Sequence, residues 1–150
     1  ISSIENIRLN NPNFNFNEIS VSDVNKYENQ MNKTSFRYFK AAVENHSITQ
    51  AAFLELKKRN PNLYKLGVLM NRHHSILKND LSITVPLIDK MIDLAFENGA
   101  YGAKIIGSGG GGSILILSNE KDENRIIKTL YNAGAKEVTK ANESRGIFSL

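Results

Sequence analysis

A run of glycine between two apolar segments constrains the fold of this chain more than any other feature of its sequence. Five of the six residues at 107–112 are glycine, and glycine loses more backbone freedom on folding than any other residue. Apolar segments lie directly before the run, at residues 103–106, and directly after it, at Ser113–Leu117. The pattern predicts two strands joined by a shaped turn, with the second strand buried on both faces or nearly so. A flexible hairpin or linker is the alternative.

The same run is the candidate binding site. Backbone N–H groups of a glycine-rich turn can form a nest for anionic oxygens, and the missing side chains let another group approach closely. The run is not a Walker loop, because no Gly-Lys-Ser/Thr closes it, and it is not a Rossmann loop, because a strand rather than a helix follows. The sequence therefore indicates an anion-binding turn without specifying the anion. The candidate ligand-binding residues are Gly107, Ser108, Gly109, Gly110, Gly111 and Gly112.

Three segments with helical periodicity precede the glycine run. The first spans residues 34–58, the second begins at Pro61 with Asn60 as its cap, and the third begins near residue 84 and stops at Gly99. The predicted buried stripes are Phe36, Phe39, Val43, Ser47, Gln50 and Leu54 in the first helix, Leu63, Leu66, Met70, His73 and Leu77 in the second, and Val85, Ile88, Ile92 and Ala95 in the third.

A fourth helix and two more strands are predicted after the hairpin. Asn119 is the expected cap of the helix and Gly134 its end. Residues 135–140 and 146–150 read as strands. The predicted inner face of the helix holds Ile126, Ile127, Leu130 and Tyr131.

The order of these elements predicts an α+β fold, a ferredoxin-like layer of helices packed on an antiparallel sheet. We expect one domain over residues 1–150, in which residues 1–34 form a partly extended leading segment. Alternation of Phe14 and Phe16 with asparagine predicts a strand there. The chain begins with Ile1 rather than methionine, so we expect it to be cut from something longer.

Composition excludes several classes of function. The 150 residues contain no cysteine, which excludes disulfide scaffolds, iron–sulfur clusters and thiol catalysis and favours a cytoplasmic protein. No apolar run approaches the roughly 18 residues that cross a bilayer, so no membrane association is expected. The net charge of +4 is mild. Nucleic-acid binding is not expected, because no aromatic residues interleave with the basic cluster. Its members, Lys57, Lys58, Arg59, Lys65 and Arg72, read as a solvated face.

Three segments in register resemble the GHMP small-molecule kinases. Residues 102–112 are similar to the third conserved motif of that superfamily, residues 66–74 to its L-G-x-L-M-x-x-x-H helix, and residues 82–89 to its V-S-x-P-x-L-D segment. Residues 19–24 and 37–45 resemble the galactokinase branch in particular. Two positions depart from that branch: Gly110 or Gly111 stands where many galactokinases have a phenylalanine, and Ser113 stands where cysteine is common. The plain glycine run looks more like the mevalonate kinases, which are the alternative.

The resemblance implies the C-terminal half of an enzyme that transfers the γ-phosphoryl group of ATP, with Mg²⁺, to a hydroxyl of a sugar or a mevalonate-type substrate. The glycine run would line the phosphotransfer cleft. The phosphate-binding loop and the catalytic residues would lie in an N-terminal domain that is absent here, so no catalytic residue is assigned. The isolated chain is expected to be inactive and could form a homodimer through the face left uncovered. A non-catalytic sensor with this fold, or an interaction domain, is the alternative.

Other polar residues have simpler interpretations. His73 and His74 are adjacent on a helix and point about 100° apart, so they cannot chelate one ion, and no metal site is predicted. His73 continues the apolar stripe and reads as a half-buried structural histidine. Asp89 and Asp93 share one helix face and read as a solvated surface rather than as catalytic carboxylates. Lys104 points away from the face that holds the neighbouring isoleucine; it could approach a nucleotide, but a solvent-facing side chain is the expectation.

Overall fold

The computed structural model describes residues 2–107 and 112–141. These residues form five α-helices and two strands, and from the second helix to the fifth the elements follow in the predicted order. Two 3₁₀ segments, Phe16–Glu18 and Val24–Gln30, connect the first two helices. The elements are α1 (Ser2–Asn10), α2 (Lys33–Leu56), α3 (Leu63–Asn79), α4 (Pro86–Glu97), β1 (Gly102–Ile106), β2 (Ser113–Leu117) and α5 (Glu120–Asn132). Within these described residues, no helix combines the length and the apolar character needed to cross a membrane.

The strands form a two-stranded antiparallel sheet with helices on one face, which confirms the predicted fold class. Ile105 of β1 is paired with Ile114 of β2, and Ile105 and Ala103 pack against Ile88 and Ile92 of α4. Helix α5 packs on α4 through the cluster of Met91, Ala95, Ile126 and Leu130.

The prediction that β2 is buried on both faces is wrong. Side chains of a strand alternate between faces, so Ile114 and Ile116 turn toward the helices whereas Leu115 is 43% exposed. Ile106, on the same face as Leu115, is 39% exposed. Among the described residues no second layer covers this face, so a continuously apolar sequence is only half buried.

Helix α3 approaches β1 more closely than any residue with a side chain would allow. A Cβ added to Gly102 would lie 2.5 Å from the carbonyl oxygen of Gly67, and one added to Gly67 would lie 2.8 Å from Cβ of Tyr101. Cβ atoms essentially never approach other atoms to less than 3.0 Å. The two glycines therefore set the distance between this helix and this strand.

Most helix ends follow the predicted chemistry. The Asn119 side chain accepts a hydrogen bond from the backbone N–H of Asp122 at 2.9 Å, which caps α5 as expected. Gly99 and Gly134 have a φ of +100°, the left-handed conformation that stops α4 and α5. The prediction of Asn60 as the cap of α3 is wrong, since Asn62 caps it by accepting from the N–H of Lys65.

The predicted stripes of α2 and α3 are only partly right. In α2, Phe39 and Val43 are buried as predicted, but Leu54 is exposed and the neighbouring Glu55 is buried in its place. In α3 the buried positions include Leu69, His74 and Ile76, one residue away from several of the predicted ones. Helix α3 contacts two elements, α2 and β1, and a single stripe cannot serve both.

The two predicted strands that the structure describes outside the hairpin do not form. Phe14 and Phe16 lie in a turn and a 3₁₀ segment, where their rings pack with Tyr27 around Phe39. Residues 135–140 have no strand pairing. Tyr131, one of the four residues predicted for the inner face of α5, is exposed. The strand predicted at residues 146–150 lies outside the described residues.

Candidate functional site at the glycine segment

The hairpin brings both ends of the glycine segment together. Ile106 pairs with Ser113, so the chain leaves and re-enters the sheet at adjacent positions. Gly107 has a φ of +79° and no heavy atom within 4 Å of the position of a Cβ, so a left-handed turn, and not crowding by the described residues, explains this glycine. Gly112 is exposed.

The remaining predicted binding residues, Ser108, Gly109, Gly110 and Gly111, lie outside the described residues. The assignment of residues 107–112 to ligand binding therefore stays a prediction.

Side chains of α3 replace a neighbouring strand along the free edge of β1. Asn71 donates through Nδ2 to the carbonyl oxygen of Tyr101 at 3.3 Å and accepts at Oδ1 from the N–H of Ala103 at 2.9 Å. Two residues further along β1, the N–H of Ile105 donates to Nδ1 of His74 at 3.4 Å. We call this set of three hydrogen bonds the α3–β1 edge contact. It satisfies backbone groups that would otherwise be buried without partners, and it fixes the strand that leads into Gly107.

The expectation of a solvated surface is wrong for Asp89, whereas His73 is half-buried as expected. His74, not His73, is the more buried of the two, at 8% exposed. Its Nε2 lies 3.7 Å from Oδ1 of Asp89, and Nζ of Lys78 lies 3.1 Å from Oδ2 of the same carboxylate. Asp89 is therefore a partly buried partner of α3, whereas Asp93 is exposed as expected.

Burial lowers the pKa of His74 below its ordinary value of 6.5, and the nearby positive charges of Lys78 and Lys104 lower it further, while Asp89 opposes the shift. At neutral pH the ring is therefore neutral. Because Nδ1 accepts from Ile105, the proton of the neutral ring is on Nε2, the nitrogen that faces Asp89.

Lys104 is half-buried and does not extend into solvent as expected. Its Nζ donates to the carbonyl oxygen of Ile105 at 2.9 Å, and burial lowers its pKa from the ordinary 10.5. It is paired with Leu115 on the face of the sheet that the helices leave open. Burial lowers the pKa of His73, and the charge of Lys104 lowers it further.

Sequence reasoning missed a buried carboxylate at the end of α2. Glu55 is 1% exposed and lies 2.8 Å from Nζ of Lys58 and 2.9 Å from Nζ of Lys65. It also accepts a hydrogen bond from the N–H of Asn62 at 3.0 Å. The hydrogen bonds from Lys58 and Lys65 lower its pKa to about 2. Two of the predicted surface cations thus join α2 to the start of α3.

Neither of two surface clefts in the described part of the chain borders the glycine segment. One is lined by residues of the 13–27 region and the other by residues of α2 together with Glu28 and Asp80. Among the same residues, no group of three histidine or carboxylate side chains is arranged to hold a metal ion.

Comparison with known proteins identifies the family. The family described as GHMP kinases C terminal matches residues 50–136, more than half of the chain, and this range contains α3, α4, the hairpin and α5. The chain belongs to this family, whose members are kinases, and the resemblance inferred from three motifs is confirmed.

Curated relatives come from two branches of the family. The chain is 39% identical over 100 residues to a galactokinase of Glaesserella parasuis serovar 5, covering 63% of this chain and 25% of that protein. It is 34% identical over 115 residues to a galactokinase of Bacillus subtilis, covering 74% and 29%. It is 42% identical over 64 residues to a mevalonate kinase of Methanocaldococcus jannaschii, covering 43% and 20%. The matched region spans less than a third of each of these relatives.

Solved structures share the fold. A Lactococcus lactis galactokinase complexed with galactose superimposes with a TM-score of 0.69 at 23% identity, covering 86% of this chain and 34% of the other. A mevalonate kinase of L. major in complex with R-mevalonate gives a TM-score of 0.56 at 24% identity, covering 77% and 35%.

Proposed function

We propose that residues 1–150 form the C-terminal domain of an ATP-dependent small-molecule kinase, most similar to the galactokinases. The observation that carries this proposal is the antiparallel hairpin whose two strands meet at the glycine segment, inside the region that matches the family. Galactose is the first candidate for the phosphate acceptor and a mevalonate-type alcohol the second, since relatives from both branches match the chain.

In this proposal the glycine segment forms one wall of the cleft in which the γ-phosphoryl group of ATP passes to the acceptor hydroxyl. Phosphoryl transfer depends mainly on positioning and on neutralising charge. Backbone N–H groups at 107–112 would contribute to both, while Asn71 and His74 hold the strand that leads into the segment.

The other half of the proposed cleft, with the catalytic residues, would be supplied by an N-terminal domain. Galactokinase relatives are three to four times as long as the region they share with this chain, which leaves room for such a domain. The described residues offer no ligand set for Mg²⁺, so we assign no step to the ion on this part of the chain. A cytoplasmic location and dimerisation of the isolated chain stay predictions.

A coupled assay of ADP release tests this proposal. The full-length gene product is supplied with MgATP and either galactose or mevalonate. We expect turnover with one of them. Binding of a sugar without release of ADP from ATP in the presence of any small alcohol would instead favour the non-catalytic sensor and contradict the kinase proposal.

A matched pair of glycine variants tests the role of the segment. Gly107 and Gly134 both have positive φ and no heavy atom within 4 Å of an added Cβ, so Gly107→Ala and Gly134→Ala carry similar backbone strain. We expect turnover to fall by about tenfold or more in Gly107→Ala only, because a misplaced phosphate-binding group costs at least that much. Equal losses in the two variants would show that strain, and not the site, is responsible.

A further inference from the structure

We propose that His74 is a pH-gated positioning residue, whose neutral ring holds β1 through the Ile105 amide and whose protonated ring releases it. The contact with Ile105 itself is independent of the function proposed above; only its consequence for phosphoryl transfer rests on that function.

The direction of the hydrogen bond makes it sensitive to the charge of the ring. The Ile105 N–H donates to Nδ1 of His74, which requires a lone pair on that nitrogen. Protonation places a hydrogen on both ring nitrogens, so Nδ1–H and the Ile105 N–H would then face each other as two donors. The amide is buried and would lose its partner, which is costly without access to water.

A carboxylate lies on the other side of the ring, facing Nε2. Oδ1 of Asp89 is buried without a hydrogen-bond partner in the described part of the chain, and it lies 3.7 Å from Nε2 of His74. A protonated ring is attracted to this carboxylate, and a shift of a few tenths of an ångström toward it would lengthen the distance from Nδ1 to Ile105. Protonation of His74 thus weakens its contact with Ile105 and strengthens its contact with Asp89.

Charged groups on three elements change how readily the ring is protonated. On its own helix, Lys78 opposes protonation, and from β1 Lys104 does the same. His73 lies beside it on α3, and protonation of either histidine disfavours that of the other. From α4, Asp89 favours protonation. Burial has the largest effect and lowers the pKa of His74, so the release occurs on the acidic side of 6.5.

Loss of the bond between His74 and Ile105 would affect the last residues of β1. Ile105 is followed by Ile106, the last residue of β1, and then by Gly107 with its left-handed backbone. Asn71 cannot titrate and continues to hold Ala103. At the end nearest the glycine segment β1 therefore loses its hydrogen bond to α3 and is held by its pairing with β2 alone.

Amide hydrogen exchange measured by NMR on the unmodified chain tests the proposal. Protection factors, which correct for the pH dependence of intrinsic exchange, are followed from about pH 8 to about pH 5, the interval in which histidines usually titrate. We expect the protection of Ile105 to fall about tenfold as the His74 ring signals titrate, while Ala103, held by Asn71, changes much less. The proposal is overturned if Ile105 keeps its protection as His74 titrates, or if the loss of protection follows His73 instead.

Two variants test whether the pH response of Ile105 depends on the charge of the His74 side chain. His74→Asn keeps a carbonyl oxygen near the position of Nδ1 but cannot titrate in this range, so the Ile105 protection should become independent of pH. His46→Asn changes an exposed histidine of α2 and should keep the unmodified response. A pH response that persists in His74→Asn refutes the proposal, and if that variant does not fold, the titration of the unmodified chain still decides. Absence of kinase turnover would leave these outcomes unaffected, so the two proposals fail separately.

Discussion

Replacement of Gly102 by alanine tests whether the two facing glycines set the distance between α3 and β1. The added Cβ would lie 2.5 Å from the oxygen and 2.7 Å from the carbon of the Gly67 carbonyl, whereas ordinary contacts begin at 3.4 Å. Both neighbours are backbone atoms and cannot rotate away. The helix and the strand must therefore separate by about 1 Å, roughly the difference between the two distances.

The magnitude follows from what this separation breaks. Overpacking of this kind typically costs about 1–3 kcal/mol. A displacement of about 1 Å also lengthens the bonds from Ala103 to Asn71, now 2.9 Å, and from Ile105 to His74, now 3.4 Å, and each lost bond costs about 1 kcal/mol. The lower entropy of the unfolded alanine chain returns about 0.4–1 kcal/mol. We expect a net loss of about 3 kcal/mol in the free energy of unfolding.

Urea denaturation followed by circular dichroism measures this loss, which corresponds to a shift of about 1–2 M in the midpoint. Gly107→Ala is the control, since it adds the same methyl group in open space and bears only the strain of positive φ, about 1–2 kcal/mol. The reasoning is refuted if Gly102→Ala is no more destabilising than Gly107→Ala, or if its Ala103 and Ile105 amides stay as protected from exchange as in the parent.

Two further predictions concern the ends of helices. The pKa of Glu55 is lowered from 4.5 to about 2, so the contribution of this carboxylate to stability is complete above pH 4.5 and is lost as the pH falls toward 2. In thermal melts across this range, the melting temperature of Glu55→Gln should depend less on pH than that of the parent. An unchanged pH dependence would contradict the role assigned to Lys58 and Lys65. Asn119→Ala removes the side-chain acceptor for Asp122 and should cost about 1 kcal/mol of unfolding free energy, measured by urea denaturation, with a loss near zero speaking against the cap.

The hairpin, α4 and α5 could be predicted from the sequence because their signals are local. Apolar residues three and four apart, a proline in the first turn and a glycine at the end define α4 within a few residues. Two apolar segments around a glycine run define β1 and β2. Asn119 caps α5 within the same turn. In each case the deciding interaction joins residues that are close in the chain.

The errors arise where partners are distant in the sequence. Glu55 is buried because Lys65 reaches it from the next helix, and a charged residue beside Leu54 gives no local sign of this. Asp89 is read as surface from its spacing to Asp93, but its partners Lys78 and His74 belong to α3. Two asparagines flank Pro61, and only the position of the Lys65 N–H shows which of them caps the helix.

The candidate site shows the same division. The glycine run is visible in the sequence, whereas the α3–β1 edge contact that holds the preceding strand is not. Asn71 and His74 are separated from their partners by about thirty residues.

The two motifs that link this chain most directly to its family are the two sides of one contact. The helix segment at 66–74 contains Gly67, Asn71 and His74, and the strand segment that begins at Gly102 contains the backbone groups that they meet. An open strand edge invites pairing with another chain, and α3 closes it with side chains only because the glycines let the two backbones come so near. Asn71 and His74 accept hydrogen bonds from two amides on this edge of β1. Their joint occurrence in one chain therefore has a physical reason, since each segment supplies partners to the other.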